Sequence, residues 1–194
     1  PVSHVSVYLL SIDSNTVFER LAARGKFVPL DDDCLAEQYL LVSDYLKHIG
    51  FEHYEISNFA KERKYSKHNT SYWMQRPYLG LGAAAHSYDG DSRQWNAAHL
   101  KKYMDALQEN RLYFEREELS DMDKYNECIM TRLRTMWGLD IKRLEREYAD
   151  YWNRVKHKLP VWRESGLLEI ENNIIRLSPR GWLVSDGIFS ELFI

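Results

Sequence analysis

Apolar and polar residues follow two regimes along this chain. His4 to Ile12 (His-Val-Ser-Val-Tyr-Leu-Leu-Ser-Ile) is β-branched, aromatic and nearly all apolar, the pattern of a strand buried on both faces in a parallel sheet. Asn15 or Thr16 then starts a short helix carrying Val17, Phe18 and Leu21, with Gly25 as its stop. After Pro29, Asp31-Asp32-Asp33 opens a longer helix in which Leu35, Tyr39, Val42, Leu46 and Ile49 recur at helical spacing before Gly50. Carboxylates there serve the helix dipole more readily than a metal. Phe51 to Phe59 reads as another strand. Strand, helices, strand is the repeating unit of an α/β barrel or doubly wound sheet, whose functional groups lie at the carboxyl ends of strands, here Ser11 to Asp13 and Ser57 to Ala60.

A polar, aromatic stretch from Lys61 to Arg76 is too long to be a mere connector, and beyond it the pattern becomes helical. Ala97 to Leu107 carries Leu100, Tyr103, Met104 and Leu107 on one face. Ser120 with Asp123 forms a capping box for a helix through Tyr125, Ile129, Leu133 and Met136 up to Gly138. Asp140 begins a helix through Leu144, Tyr148, Trp152 and Val155, and a short helical piece follows Pro160. Asn172-Asn173 between two apolar runs predicts a tight hairpin, and Ser178-Pro179 caps a final helix. Helices, hairpin and helix make a winged-helix-like arrangement. The division falls near Asp91 to Asn96, giving residues 1–95 as an α/β part and 96–194 as a mainly helical part with a small β-hairpin.

The chain has 194 residues, of which 44% are hydrophobic, enough for one large domain or two small ones. Its 26 Lys+Arg and 29 Asp+Glu leave a net charge of −3, which argues against a polyanion-binding surface spread over the fold. The last helix pairs Arg180 with Asp186 and Glu191 and reads as a packing helix, so no nucleic-acid partner is expected. Cys34 and Cys128 form no CxxC pair and fit a reducing setting. With no apolar run near the ~18 residues of a membrane span and no basic leader before Val2, the expected location is cytoplasmic. Because Pro1 leads almost directly into a strand, the chain reads as part of a longer one.

Several constellations carry chemistry. Gly80-Leu81-Gly82-Ala83-Ala84-Ala85 matches a dinucleotide fingerprint formally, without the strand before it or the helix after it. Its small residues suit tight packing or the close approach of a flat ligand, with His86 facing the same cleft. His68-Asn69-Thr70-Ser71-Tyr72-Trp73 is the densest group. A neutral imidazole can coordinate iron and the aromatic pair can flank a planar macrocycle; the same residues can equally anchor a structural loop. His53 and Glu55 suggest either acid/base work or pairing. Arg93 and Asn96 suit a carboxylate or, better, an interdomain clamp.

The ordered series His4 to Tyr8, Tyr54 to Ala60, Ser66 to Trp73, Tyr78 to Gly82, Ala85 to Ser87 and Arg93 to Asn96 resembles the carboxyl-terminal half of the oxygen-independent coproporphyrinogen III oxidase-like family, and within it the heme chaperone (HemW-type) branch. The resemblance implies a radical S-adenosylmethionine protein. Its partial (β/α) barrel would carry a [4Fe-4S] cluster and precede a mainly helical, winged-helix-like domain. It implies heme binding at His68, Asn69, Tyr72 and Trp73, with His68 on the iron, and transfer of heme to an acceptor protein, a membrane-associated acceptor being one option. The alternative implied activity is oxidation of coproporphyrinogen III in porphyrin biosynthesis. Contacts to S-adenosylmethionine in the oxidase branch fall at the positions of Ser11 and His86, with neither identity kept. The family's CxxxCxxC motif and glycine-rich region are absent from these residues. Cluster binding, S-adenosylmethionine binding and radical chemistry are therefore expected of the parent protein alone. Exposed strand edges of a partial barrel predict self-association.

Overall fold

The structure is a computed structural model that describes residues 2–194. It is α/β, with three small antiparallel sheets and helices between and after them. In the first part, β1 (His4–Ser6) is followed by α1 (Val17–Ala23), α2 (Asp32–His48), β2 (Glu52–Glu55) and β3 (Asn58–Ala60). The sheet order is β1-β3-β2, with Val5 opposite Phe59 and His53 also opposite Phe59. Leu46 of α2 packs with Phe51 and Phe59 beneath this sheet. The Asp31 carboxylate caps α2 by accepting from the Cys34 amide at 2.7 Å, and that hydrogen bond holds its carboxyl below the usual carboxylate range.

Two sequence expectations change here. The strand predicted over His4–Ile12 is a strand only from His4 to Ser6, and its partner β3 is antiparallel. Tyr8, Leu9 and Leu10 are exposed, because β3 is too short to pair with them. The strand predicted over Phe51–Phe59 is a hairpin. Glu55 turns its carboxylate inward, accepts from the Ser57 amide at 3.1 Å and from the Asn58 side chain, and so closes the turn between β2 and β3.

α3 (Lys67–Trp73) follows, then β4 (His86–Tyr88), β5 (Ser92–Asn96), α4 (Leu100–Gln108) and β6 (Phe114–Glu118). These strands form a second sheet in the order β4-β5-β6. Its sequence signal is weak because every residue of β6 is exposed, so no alternation of apolar and polar positions marks the strand. Residues 95 and 96, where the sequence divides the chain, are neighbours within β5.

The last part holds α5 (Asp121–Leu133), β7 (Leu139–Asp140), α6 (Ile141–Glu147), α7 (Ala149–Val155), α8 (Leu159–Glu164), β8 (Leu168–Glu171), β9 (Ile174–Leu177), α9 (Pro179–Leu183) and α10 (Ser185–Leu192). Ser120 and Asp123 form the expected capping box of α5. Asn172 and Asn173 have φ of 52° and 65°, the left-handed pair a type I′ turn demands, and they join β8 to β9. The main core gathers Tyr125, Ile129 and Leu133 of α5 with Leu144, Trp152, Ile175, Trp182, Ile188 and Leu192. α5 stops at Leu133 rather than running to Gly138, because residues 134–136 pair with the first sheet. The Arg134 carbonyl accepts from the Ile56 amide and the Tyr54 carbonyl from the Met136 amide, each at 3.0 Å. This seam ties β2 to the end of α5.

Candidate functional site

The site begins with a helix too short to stand alone. Isolated helices of seven residues do not persist in water, so α3 depends on its neighbours. Ser66 caps it, its hydroxyl accepting from the Asn69 amide at 3.2 Å. The Ser66 amide in turn donates to the Tyr54 hydroxyl at 3.3 Å, and His4 Nε2 lies 2.8 Å from the same hydroxyl. Tyr65 packs between Tyr54 and Trp137, edge-on to the latter with centroids 5.5 Å apart. At the far end Trp73 lies under the Arg134 guanidinium, 4.2 Å from the ring centre.

Between these anchors α3 presents His68. The imidazole is exposed and stands edge-on to Tyr72, four residues later on the same face, with centroids 4.7 Å apart at 78°. Tyr72 meets Tyr78 at 4.7 Å and 89°, and Tyr78 leads on to Tyr88. The result is a row of rings ending in one exposed imidazole. Burial pushes the Tyr78 and Tyr88 phenols up, so they stay neutral at physiological pH. No described residue hydrogen-bonds the His68 ring, leaving its nitrogens available to a ligand. These residues fit one donor to an iron-bound planar group, an imidazole without a hydrogen-bond partner beside the Tyr72 ring.

Tyr78 also lines a cavity of about 420 Å³ with His86, Arg93, Trp95 and Glu117. His86 is exposed, 6.1 Å from the Trp95 ring. Arg93 is paired with Glu127 of α5 at 2.7 Å, so the expected clamp exists between β5 and α5. Asn96 donates to the carbonyls of Gly80 and Gly82 at 3.3 and 2.9 Å and holds the small-residue segment. A Cβ at Gly80 would overlap the His86 carbonyl, which gives this glycine a packing reason. Ser11 is elsewhere: it lines an open groove of about 770 Å³ with Tyr8 to Ile12, Phe27 to Leu30 and the start of α2. Ser11 and His86 do not share a cavity.

His53 and Glu55 are structural. His53 Nδ1 lies 3.1 Å from the Ser43 hydroxyl and Nε2 3.1 Å from the Ile56 carbonyl. The ring stacks on Phe59 at 3.9 Å and meets Trp182 edge-on. Burial pushes it down to about 4, so it is neutral. Burial also raises the Cys128 thiol, and the hydrogen bond to Asp31 raises that of Cys34. Among the described residues no group of three or more His, Cys, Asp or Glu could hold a metal ion. Two protonated, separated thiols do not fit a [4Fe-4S] ligand set. Tyr54, Arg134 and Tyr78 support the site without a warning in the local pattern, except that Tyr54 and Tyr78 open two of the runs that carry the resemblance.

Residues 119–184 match the HemN C-terminal domain family. The chain is 32% identical over 188 residues to the heme chaperone HemW of Bacillus subtilis, covering 96% of this chain and 50% of that protein. It is also 32% identical over 195 residues to the heme chaperone HemW of Mycobacterium tuberculosis, covering 98% of this chain and 47% of the relative. Residues 119–184 thus resemble a HemN C-terminal domain, and nearly the whole chain is similar to about half of proteins named heme chaperone HemW. A mitochondrial radical S-adenosyl methionine domain-containing protein 1 of Bos taurus is 27% identical over 97% of this chain and 46% of that protein. In structure the chain matches the coproporphyrinogen III oxidase HemN of Escherichia coli with a TM-score of 0.68 and 18% identity, over 98% of this chain and 48% of that one. The chain thus spans about half the length of these relatives, and its fold matches that of part of the HemN chain. No helix among the described residues is long and apolar enough to cross a membrane.

Proposed function

We propose that this chain binds heme at α3 and that the protein to which it belongs passes heme to an acceptor. The observation that carries this reading is the exposed His68 imidazole on an anchored helix, edge-on to Tyr72, in a chain whose relatives are named heme chaperones. Heme, when bound, would supply an iron centre that takes a nitrogen donor. His68 supplies that nitrogen, Tyr72 limits its ring rotation, Trp73 anchors the helix end, and the Asn69 side chain is left for the ligand edge. Hemin added to the chain should give a shifted Soret band that His68→Ala abolishes; an unchanged band in that variant would refute the ligand assignment.

The cluster and S-adenosylmethionine belong, in this reading, to the parent protein, since Cys34 and Cys128 do not fit a cluster. Ser11 and His86 remain proposed contacts for S-adenosylmethionine, and the separation of their cavities gives them no shared pocket within this chain. A second reading, favoured by the structural match to HemN, is coproporphyrinogen III oxidation by the parent. Product formation by full-length, cluster-reconstituted protein with that substrate and S-adenosylmethionine would establish it. The exposed Tyr8, Leu9, Leu10, Val28 and Leu30 beside the large groove support self-association of this chain, which light scattering would refute by giving a monomer at high concentration.

A further inference from the structure

Two adjacent residues of β2 hold the two ends of α3. Tyr54 takes the Ser66 amide at the N-terminal end. Glu55 reaches the C-terminal end through Arg134. The Glu55 side chain is 1% exposed, its Oε1 occupied by the Ser57 amide and the Asn58 side chain. Its Oε2 has no hydrogen bond, nor does Arg134 Nε; the two atoms are 3.8 Å apart. Leaving a buried carboxylate without a cation beside it is costly. The Arg134 backbone is held in place, its carbonyl accepting from the Ile56 amide and Thr135 bridging Glu55. From that anchored backbone the guanidinium lies beside Glu55 Oε2 and its centre sits 4.2 Å from the Trp73 ring centre.

We infer that Arg134, held by Glu55, is a positioning residue for the ligand-bearing helix: its guanidinium pins Trp73, and through it the turn that carries Tyr72 and orients His68. The inference rests on the heme reading of α3. Trp73 closes the helix, so loss of its anchor frays the turn containing Tyr72 first. Tyr72 is the ring against which His68 stands, and a mobile Tyr72 leaves the imidazole with more rotamers to lose on coordination. A guanidinium over an indole in a partly dry setting contributes enough for its loss to weaken binding by about tenfold.

Arg134→Gln alone strands the Glu55 charge and risks the fold, so the test uses the neutral pair Glu55→Gln with Arg134→Gln, together with Arg134→Lys and Trp73→Leu. Each variant is titrated with hemin, and amide exchange in α3 is followed without ligand. The neutral pair should bind hemin about tenfold more weakly with an altered Soret band and faster exchange across Tyr72 and Trp73. Arg134→Lys, which keeps a cation beside Glu55 and over the indole, should recover much of both. Adding Trp73→Leu to the neutral pair should cost little more, because the two act through one contact. A neutral pair with wild-type affinity, Soret band and exchange would overturn the inference, as would fully additive losses with Trp73→Leu. If the wild-type chain binds no hemin while α3 exchange still depends on Arg134, the heme reading falls and the positioning role stands.

Discussion

His53 makes the acid stability of this chain predictable. The ring is 8% exposed, stacked on Phe59 and edge-on to Trp182, with Ser43, Tyr39 and the Ile56 carbonyl around its nitrogens. Burial, with a smaller contribution from Lys47, lowers its titration from 6.5 to about 4. In the unfolded chain the ring takes a proton near its ordinary value, so between these two values the unfolded state binds more protons. Stability is therefore complete above about 6.5 and falls as the pH drops toward 4. The shift corresponds to about 3 kcal/mol in all, of which about 2 kcal/mol is lost by pH 5. Carboxylates are still largely ionised at pH 5, and a variant lacking this ring separates its contribution from that of the other histidines among the chain's 7. The assay is urea unfolding at pH 7 and pH 5 for the wild type and for His53→Gln, whose amide retains hydrogen bonding but does not titrate. The wild type should lose about 2 kcal/mol between these conditions and the variant much less. Equal losses would refute the assignment of His53 as a neutral core residue.

Other consequences are equally direct. Gly181 approaches the Leu167 carbonyl so closely that a Cβ would overlap it, so Gly181→Ala should cost at least ~1–3 kcal/mol and lower the thermal midpoint. Asn173 sits at φ 65° in the β8–β9 turn, and Asn173→Gly should leave stability unchanged or raise it by about 0.5 kcal/mol, measured by the same unfolding. Ser120→Ala removes the cap of α5 and should cost about 1 kcal/mol. Cys128 is fully buried and its thiol is pushed up; a thiol reagent at pH 7.5 should leave it unmodified in the native chain and label it once urea unfolds the protein.

The helix starts and the hairpin of the second half were legible because they obey local rules, whereas the single helix expected from Asp140 breaks at Tyr148 and the last one at Val184. Ser120 with Asp123 and the Asn172-Asn173 pair act within a few residues, and the structure has both where the pattern places them. The first half was less legible. An apolar run such as Val7 to Ile12 records how much burial a segment seeks, not which strand provides it, and here β3 reaches only as far as Ser6. The sheet β4-β5-β6 was missed because its outer strand is polar and exposed on both faces. Its pairing comes from backbone hydrogen bonds, which have no side-chain signature.

The site divides in the same way. Sequence by itself determined the motif from Ser66 to Trp73, the cap that starts its helix, the family to which its order of residues points and the mismatch of two cysteines with a cluster. Tertiary structure decided which of those residues stand open and which are packed away. It placed His68 against Tyr72 on the open side of α3, turned Trp73 under Arg134, sent Ser11 and His86 to separate cavities, and buried His53 and Glu55 as parts of the frame. Capping and helical spacing are set by neighbours along the chain, so sequence carries them. The contacts from β2 and α5 that hold α3 join residues about 12 to 60 positions apart, and only the packed chain brings those partners together.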